Sequence, residues 1–235
     1  LIMKYIVFLL FMVLNMNLYS SELYPQLLEY CNNVNQDFSN IPEERKEVLD
    51  SISKYLKEKI KNNEEINLTF ICTHNSRRSH FGQVWAKIAS IYNGIINLKT
   101  YSGGTEVTAC NPRTIGALQR VGFVIDKLEK SDIKDINSSN PLYILKWNNT
   151  DENLKLFSKK YTNDFNPKKN FAAIIVCSSA DEACPIVFGA DERYYLPYED
   201  PKKDDNTENE AKSYDNTCRL IAKEMFYLFN QVINE

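Results

Sequence analysis

The chain lacks a closely spaced cysteine pair and carries only two histidines, His74 and His80, so it offers no zinc-binding set. It also lacks a basic excess. A net charge of -3 and a pI near 5.6 leave no broad cationic face for a phosphate backbone, and nucleic acid is excluded as an expected partner. Any anion site must be local. There are no internal repeats and no long low-complexity tract. The one long apolar run, Tyr5 to Leu14, is too short to span a bilayer as a mature helix, and no cysteine follows it closely enough to carry a lipid. Met3-Lys4 ahead of that run and polar residues up to Ser20 behind it give residues 1–20 the layout of a secretory signal. We therefore expect export, periplasmic or membrane-associated, with no stable span in the mature chain. A cytoplasmic location is expected if the segment does not act as a signal.

What is present fits one main domain: 235 residues, 43% hydrophobic and 25% charged. Six cysteines, Cys31, Cys72, Cys110, Cys177, Cys184 and Cys218, have the spacing of no small disulfide scaffold. Redox chemistry is expected of any pair before structural bridging, and Cys31, Cys110 and Cys218 read as packing residues.

Residues 21–64 read as a helical extension. Pro42 stands at a helix start, Glu43 and Glu44 fill its first turn, and Val48, Leu49, Ile52, Tyr55, Leu56 and Ile60 recur at helical spacing. Residues 65–235 then alternate strand and helix. Ile66 to Ile71 forms a strand that runs into Cys72, and His80 to Tyr92 forms a helix. Leu98 to Ser102 is the next strand, and Asn111-Pro112 opens a helix that ends at Gly122. Phe171 to Val176 is a buried strand ending at Cys177, Arg193 to Leu196 a shorter one, and an amphipathic helix carries Ile221, Met225, Leu228, Phe229 and Val232. This rhythm predicts an α/β three-layer sandwich around a central parallel four-stranded sheet. The stretch 126–169 interrupts it as an inserted hairpin or excursion whose function is not legible. Tyr194, Tyr195 and Tyr198 read as core and rim packing, and His80 as solvated or capping.

The segment Cys72-Thr73-His74-Asn75-Ser76-Arg77-Arg78-Ser79 joins a strand to a helix. A cysteine at such a turn meets several backbone N–H groups and the positive end of the helix dipole, which together bind a dianion and favour thiolate over thiol. Arg78, six residues on, can fold back onto two oxygens, and Ser79 can donate to the sulfur.

These residues resemble the Cys-x-Gly-Asn-x-x-Arg-Ser loop of the low-molecular-weight protein tyrosine phosphatase and thioredoxin-coupled arsenate reductase superfamily. The resemblance extends over most of Ile66 to Glu235, through Tyr101-Ser102-Gly103-Gly104-Thr105, Asn111-Pro112 and Asp200-Pro201. It implies Cys72 as nucleophile, Asn75 as the left-handed residue that shapes the loop, Arg78 as oxyanion clamp, Ser79 as thiolate stabiliser and Asp200 as proton donor. The loop residues Thr73, His74, Asn75, Ser76, Arg77, Arg78 and Ser79 would form the oxyanion cradle. Two positions depart from the family. His74 stands where it has glycine, which is expected to strain or reshape the cradle, and Arg77 stands where many members carry a second loop cysteine.

Cys177-Ser178-Ser179-Ala180-Asp181-Glu182-Ala183-Cys184-Pro185 is similar to the Cys-Ser-x-Ala-Asp-x-x-Cys-Pro segment of the reductase branch. It implies a relay of Cys72, Cys177 and Cys184 that reduces arsenate to arsenite, with a thioredoxin-like protein as reductant and no cofactor. Lys202 and Lys203 after Asp200-Pro201, where tyrosine phosphatases place aromatics, favour a small inorganic oxyanion. The alternatives are a phosphatase for phosphotyrosine or a small phosphate ester, and a non-catalytic oxyanion-binding or redox-sensing module.

Overall fold

Seven strands and six α-helices form from these patterns in a computed structural model, which describes residues 23–133 and 136–234. The segment 1–20, expected to direct export, lies outside the described residues, and no described helix is long and apolar enough to cross a membrane.

The main sheet is parallel, in the order β2-β1-β6-β7, from β1 (Ile66–Cys72), β2 (Leu98–Gly104), β6 (Phe171–Ile175) and β7 (Ala190–Tyr195). Every residue of β1 and β6 is buried, as expected of inner strands covered on both faces. The crossover from β1 to β2 runs through α3 (Arg78–Tyr92), and that from β6 to β7 through α5 (Ser178–Ala183). The two crossovers step in opposite directions across the sheet. Because both are right-handed, α3 and α5 fall on opposite faces, which gives the three layers. The gap between β1 and β6 is thus the topological switch point, where sheets of this kind bind ligands beyond their carboxyl ends. Cys72 ends β1, and Cys177 lies two residues beyond the end of β6. Both cysteines are brought to the carboxyl edge of the sheet by strand order alone.

The helical extension is two helices, the second starting after Pro42. α1 (Pro25–Val34) and α2 (Glu43–Lys61) are separated where Asp37 accepts from the Ser39 N–H at 2.8 Å in a side-chain turn and Pro42 caps the second helix. Helical spacing continues through Asp37 and Ser39, but their local hydrogen bonding and the missing proline N–H break the ladder. The extension packs into the main core: Tyr30 stacks on Trp85 of α3 with ring centroids 5.4 Å apart, and Phe38 meets Tyr227 of α6 (Glu210–Ile233) edge-on.

After α4 (Pro112–Arg120), which Asn111 caps by accepting from the Arg113 N–H, the insertion forms a second sheet. It is antiparallel, in the order β3 (Val124–Leu128), β4 (Leu142–Lys146) and β5 (Leu154–Leu156). Its return segment then lies along the end of β2, with Gly104 N–H donating to Lys159 O at 2.8 Å and Tyr161 N–H to Gly104 O at 2.9 Å. Gly104 must be glycine here. A Cβ would come within 2.6 Å of Thr73 O and 2.8 Å of Asn75 N, so any side chain would push the nucleophile loop away from the sheet.

Candidate active site

Five consecutive loop carbonyls are tied down on the outside of the turn. Cys72 O accepts from Thr105 N, Thr73 O from Glu106 N, and His74 O from the hydroxyls of Thr108 and Ser158. Asn75 O accepts from His80 Nε2, and Ser76 O from Asn111 N and the Thr114 hydroxyl. With the carbonyls turned out, the N–H groups from Thr73 to Ser79 are left without protein acceptors among the described residues. A run of free N–H groups at the start of a fifteen-residue helix is a receptor for a multiply charged anion.

Asn75 has φ 44°, in the left-handed region that asparagine tolerates better than most residues. Its amide donates to Ser79 Oγ at 2.9 Å, and Ser79 Oγ lies 3.1 Å from Cys72 Sγ. The serine oxygen is thus already supplied with a donor, and its own proton is free to point at the sulfur. His74 is not among the residues with positive φ, so its backbone pays no penalty for lacking a glycine. The strain expected at this position does not arise, because the left-handed turn falls wholly on Asn75. The His74 imidazole points out of the loop, with Nε2 3.4 Å from Glu106 Oε2.

Above the loop, Arg78 Nη2 holds Asp200 Oδ2 at 2.8 Å and Nη1 donates to Tyr198 O at 2.9 Å. Arg77 Nη1 faces the other carboxylate oxygen at 3.7 Å, and its Nε donates to the Tyr214 hydroxyl, which donates in turn to Asp205. Asp200 also accepts from Lys202 N as cap of the short 3-10 turn Pro201–Asp204. Cys72, His74, Ser76, Arg77, Arg78 and Asp200 line a narrow pocket of about 10 Å³. A shallower groove continues from it past Thr108, Asn111 and Lys202.

Cys177 Sγ lies 3.5 Å from the Thr73 hydroxyl, beside the loop, while Cys184 caps the far end of α5. Arg193 of β7 grips that helix, bonding the Asp181 carboxylate and carbonyl and, at 3.1 Å, the Cys184 carbonyl. All six cysteines are free thiols. Cys31, Cys110 and Cys218 are buried in the core, and burial raises the pKa of each.

Two supporting groups were not placed by the sequence reading. His80, expected to be solvated or capping, is completely buried and reaches back to its own loop. Asn75 O can only accept, so Nε2 carries the proton, and Nδ1 accepts from the Ser102 hydroxyl at 3.2 Å. Lys159 of the insertion is buried behind the same serine, with Nζ 3.5 Å from Ser102 Oγ and 4.5 Å from the Phe157 ring centroid. Its backbone N–H donates to Asn75 Oδ1 at 3.0 Å. The insertion whose function was illegible therefore fixes the left-handed residue of the loop. A histidine immediately after the loop serine was the one sequence signal available for this network.

Burial pushes the His80 imidazole down to about 3, helped by the nearby Lys159 charge, and pushes the Lys159 ammonium down to about 7. In both cases the unfolded chain binds the extra proton, so stability rises with pH across each window. For Lys159 that window runs from about 7 to 10.5. For His80, stability present above about 6.5 is lost as pH falls toward 3. Urea midpoints measured against pH are expected to rise from pH 7 to about 8.5 in the wild type; above that the buried thiols of Cys31, Cys110 and Cys218, raised from 9.0, oppose the rise because they ionise first in the unfolded chain. Lys159→Met should be more stable than wild type at pH 7, by at most roughly 5 kcal/mol, and should lack that rise.

An anion receptor at the switch point of a parallel sheet, with a cysteine on its floor and a guanidinium and a carboxyl group over its mouth, defines a cysteine-dependent enzyme acting on tetrahedral oxyanions. No protein-family profile matches the chain. An arsenate reductase of Bacillus subtilis (strain 168) is 30% identical over 145 residues, 62% of this chain and 81% of the relative. An arsenate reductase of Staphylococcus aureus (strain Newman) is 29% identical over 134 residues, 56% of this chain and 76% of the relative. Among solved structures, an arsenate reductase from Archaeoglobus fulgidus aligns with a TM-score of 0.42 at 15% identity, covering 69% of this chain and 98% of that one. A low molecular weight phosphotyrosine phosphatase from Vibrio cholerae O395 aligns with a TM-score of 0.45 at 12% identity, covering 70% and 94%. The chain belongs to the low-molecular-weight protein tyrosine phosphatase and arsenate reductase superfamily.

Proposed function

We propose that the chain reduces arsenate to arsenite through a relay of Cys72, Cys177 and Cys184. The observation that carries this reading is the place of Cys177: its sulfur lies 3.5 Å from the hydroxyl of Thr73, the residue that follows Cys72, in a strand-end position that a hydrolytic mechanism does not need.

Arsenate enters the receptor with its oxygens on the free N–H groups and on Arg78. It competes there with Asp200 for the same guanidinium edge, which frees the carboxyl group for proton transfer. The Cys72 thiolate attacks arsenic, a sulfur–arsenic bond forms, and the leaving oxygen departs as water with a proton from Asp200. Cys177 then attacks the Cys72 sulfur. A disulfide forms, the sulfur–arsenic bond breaks, and its electron pair reduces arsenic to arsenite. Cys184 attacks Cys177, releasing Cys72 as a thiol and leaving a Cys177–Cys184 disulfide. A thioredoxin-like dithiol protein reduces that bond, and it shares the exported compartment if residues 1–20 direct export.

A phosphatase is the second reading, favoured by the groove past Thr108, Asn111 and Lys202, which has room for the leaving group of an ester. In that reading water replaces Cys177 in the second step.

Reduced protein given one equivalent of arsenate and no reductant, then alkylated and mapped by mass, distinguishes them. The relay predicts a Cys177–Cys184 disulfide with Cys72 alkylated and one equivalent of arsenite released. A protein that keeps all six thiols alkylatable and hydrolyses phosphotyrosine peptides is a phosphatase.

A further inference from the structure

Glu224 of α6 is a fully buried carboxylate in the core of the molecule. Its partner comes from the far end of the chain: Arg45 of α2 forks onto both of its oxygens, Nε on Oε1 and Nη2 on Oε2. A buried pair of this kind gains little stability over an apolar contact of the same volume, because desolvating the two charges offsets their attraction. Its other contacts give it a different role. Arg45 Nη1 donates to Pro197 O at 2.9 Å, and the guanidinium carbon lies 4.9 Å from the Tyr198 ring centroid. The Tyr198 hydroxyl donates to Glu224 Oε2 at 2.7 Å, and the Tyr198 carbonyl accepts from Arg78 at 2.9 Å. Pro197 and Tyr198 open the segment that ends at Asp200. Its backbone and ring are therefore held from the extension by Arg45 and its hydroxyl from α6 by Glu224, two residues before the carboxyl group over the pocket.

We propose that Arg45 is a positioning residue of the active site, acting through Glu224 and Tyr198 to set both Asp200 and Arg78. The helical extension is thereby a working part of the catalytic unit. This rests on the reading of Asp200 as proton donor and Arg78 as clamp.

Two readouts on the full chain test it. One is the ratio of kcat/KM for p-nitrophenyl phosphate to that for phenyl phosphate: phenolate is the stronger base, and its departure needs the Asp200 proton far more. The other is the inorganic phosphate concentration that half-protects Cys72 from iodoacetamide, which requires no turnover and reports on Arg78. Arg45→Met alone leaves a buried charge unpaired, so the informative protein is the double variant Arg45→Met/Glu224→Gln, with Arg45→Lys as the conservative comparison.

In the double variant, the ratio is expected to rise about 10-fold and the half-protecting concentration about 5-fold. Arg45→Lys should restore part of both. If a folded double variant keeps both readouts within about twofold of wild type, Arg45 is structural only and the proposal is overturned. If the wild type itself neither cleaves the esters nor is protected by phosphate, the reading of the Cys72 loop fails, and the proposal with it. That failure appears in the wild type, before any variant is made.

Discussion

Cys177→Ser is expected to abolish multiple-turnover arsenate reduction while leaving hydrolysis of p-nitrophenyl phosphate within about threefold of wild type. The two effects separate because the Cys177 sulfur touches the loop only through the Thr73 hydroxyl, at 3.5 Å, and serine can keep that contact. Attack by Cys72 and proton donation by Asp200 are then unaltered. Without a second thiol, however, no electron pair can be returned to arsenic, and the adduct reverts to arsenate. Cys184→Ser should behave differently. Its first two steps are intact, so arsenite appears as a single burst equal to the enzyme concentration and Cys72 remains bonded to Cys177. Rapid-quench measurement of arsenite against time checks both variants. Steady turnover in Cys177→Ser would overturn the relay.

Arg78→Lys is expected to lower kcat/KM for arsenate and for aryl phosphates alike by about 10³-fold. The guanidinium spans two acceptors at once in the resting site, Tyr198 O at 2.9 Å and Asp200 Oδ2 at 2.8 Å, and it can do so because its donors are fixed in one plane. An ammonium group offers a point charge on a flexible stem and cannot hold the loop carbonyl and an oxyanion edge together. The loss should fall chiefly on kcat, since two of the equatorial oxygens gain charge only as the reaction proceeds. Steady-state kinetics with both substrates checks it, and a loss confined to KM would place Arg78 in ground-state binding only.

The strand-loop-helix unit was legible because Ile66 to Ile71 is a short apolar run feeding directly into Cys72, and because the helix after it repeats its apolar residues at helical spacing. Asn75, Arg78, Ser79 and Asp200 were legible through the family pattern: Arg78 and Asp200 line the pocket with Cys72, while Asn75 and Ser79 are bonded to each other behind its sulfur. The supports were not. Lys159 stands in a polar stretch with no periodicity, and it lies 84 residues from Asn75, whose side chain it fixes. Arg45 and Glu224 are 179 residues apart and each reads as an ordinary charge on an amphipathic helix. Pairings made by tertiary packing leave no local trace, since neither partner changes the propensity or spacing around it. His80 was misread for a related reason: its partner, Asn75 O, is backbone, and any residue there would supply it.

Helix α5 has only six residues, well below the length at which a helix holds itself together in water. Arg193 bonds it near Asp181 and again at Cys184, and so supplies from β7 what the helix cannot supply for itself. In the proposed relay, Cys184 must leave the far end of that helix to reach Cys177. In that relay the arginine is expected to act as a latch on the third thiol, placed on the side of the sheet away from the nucleophile's own helix.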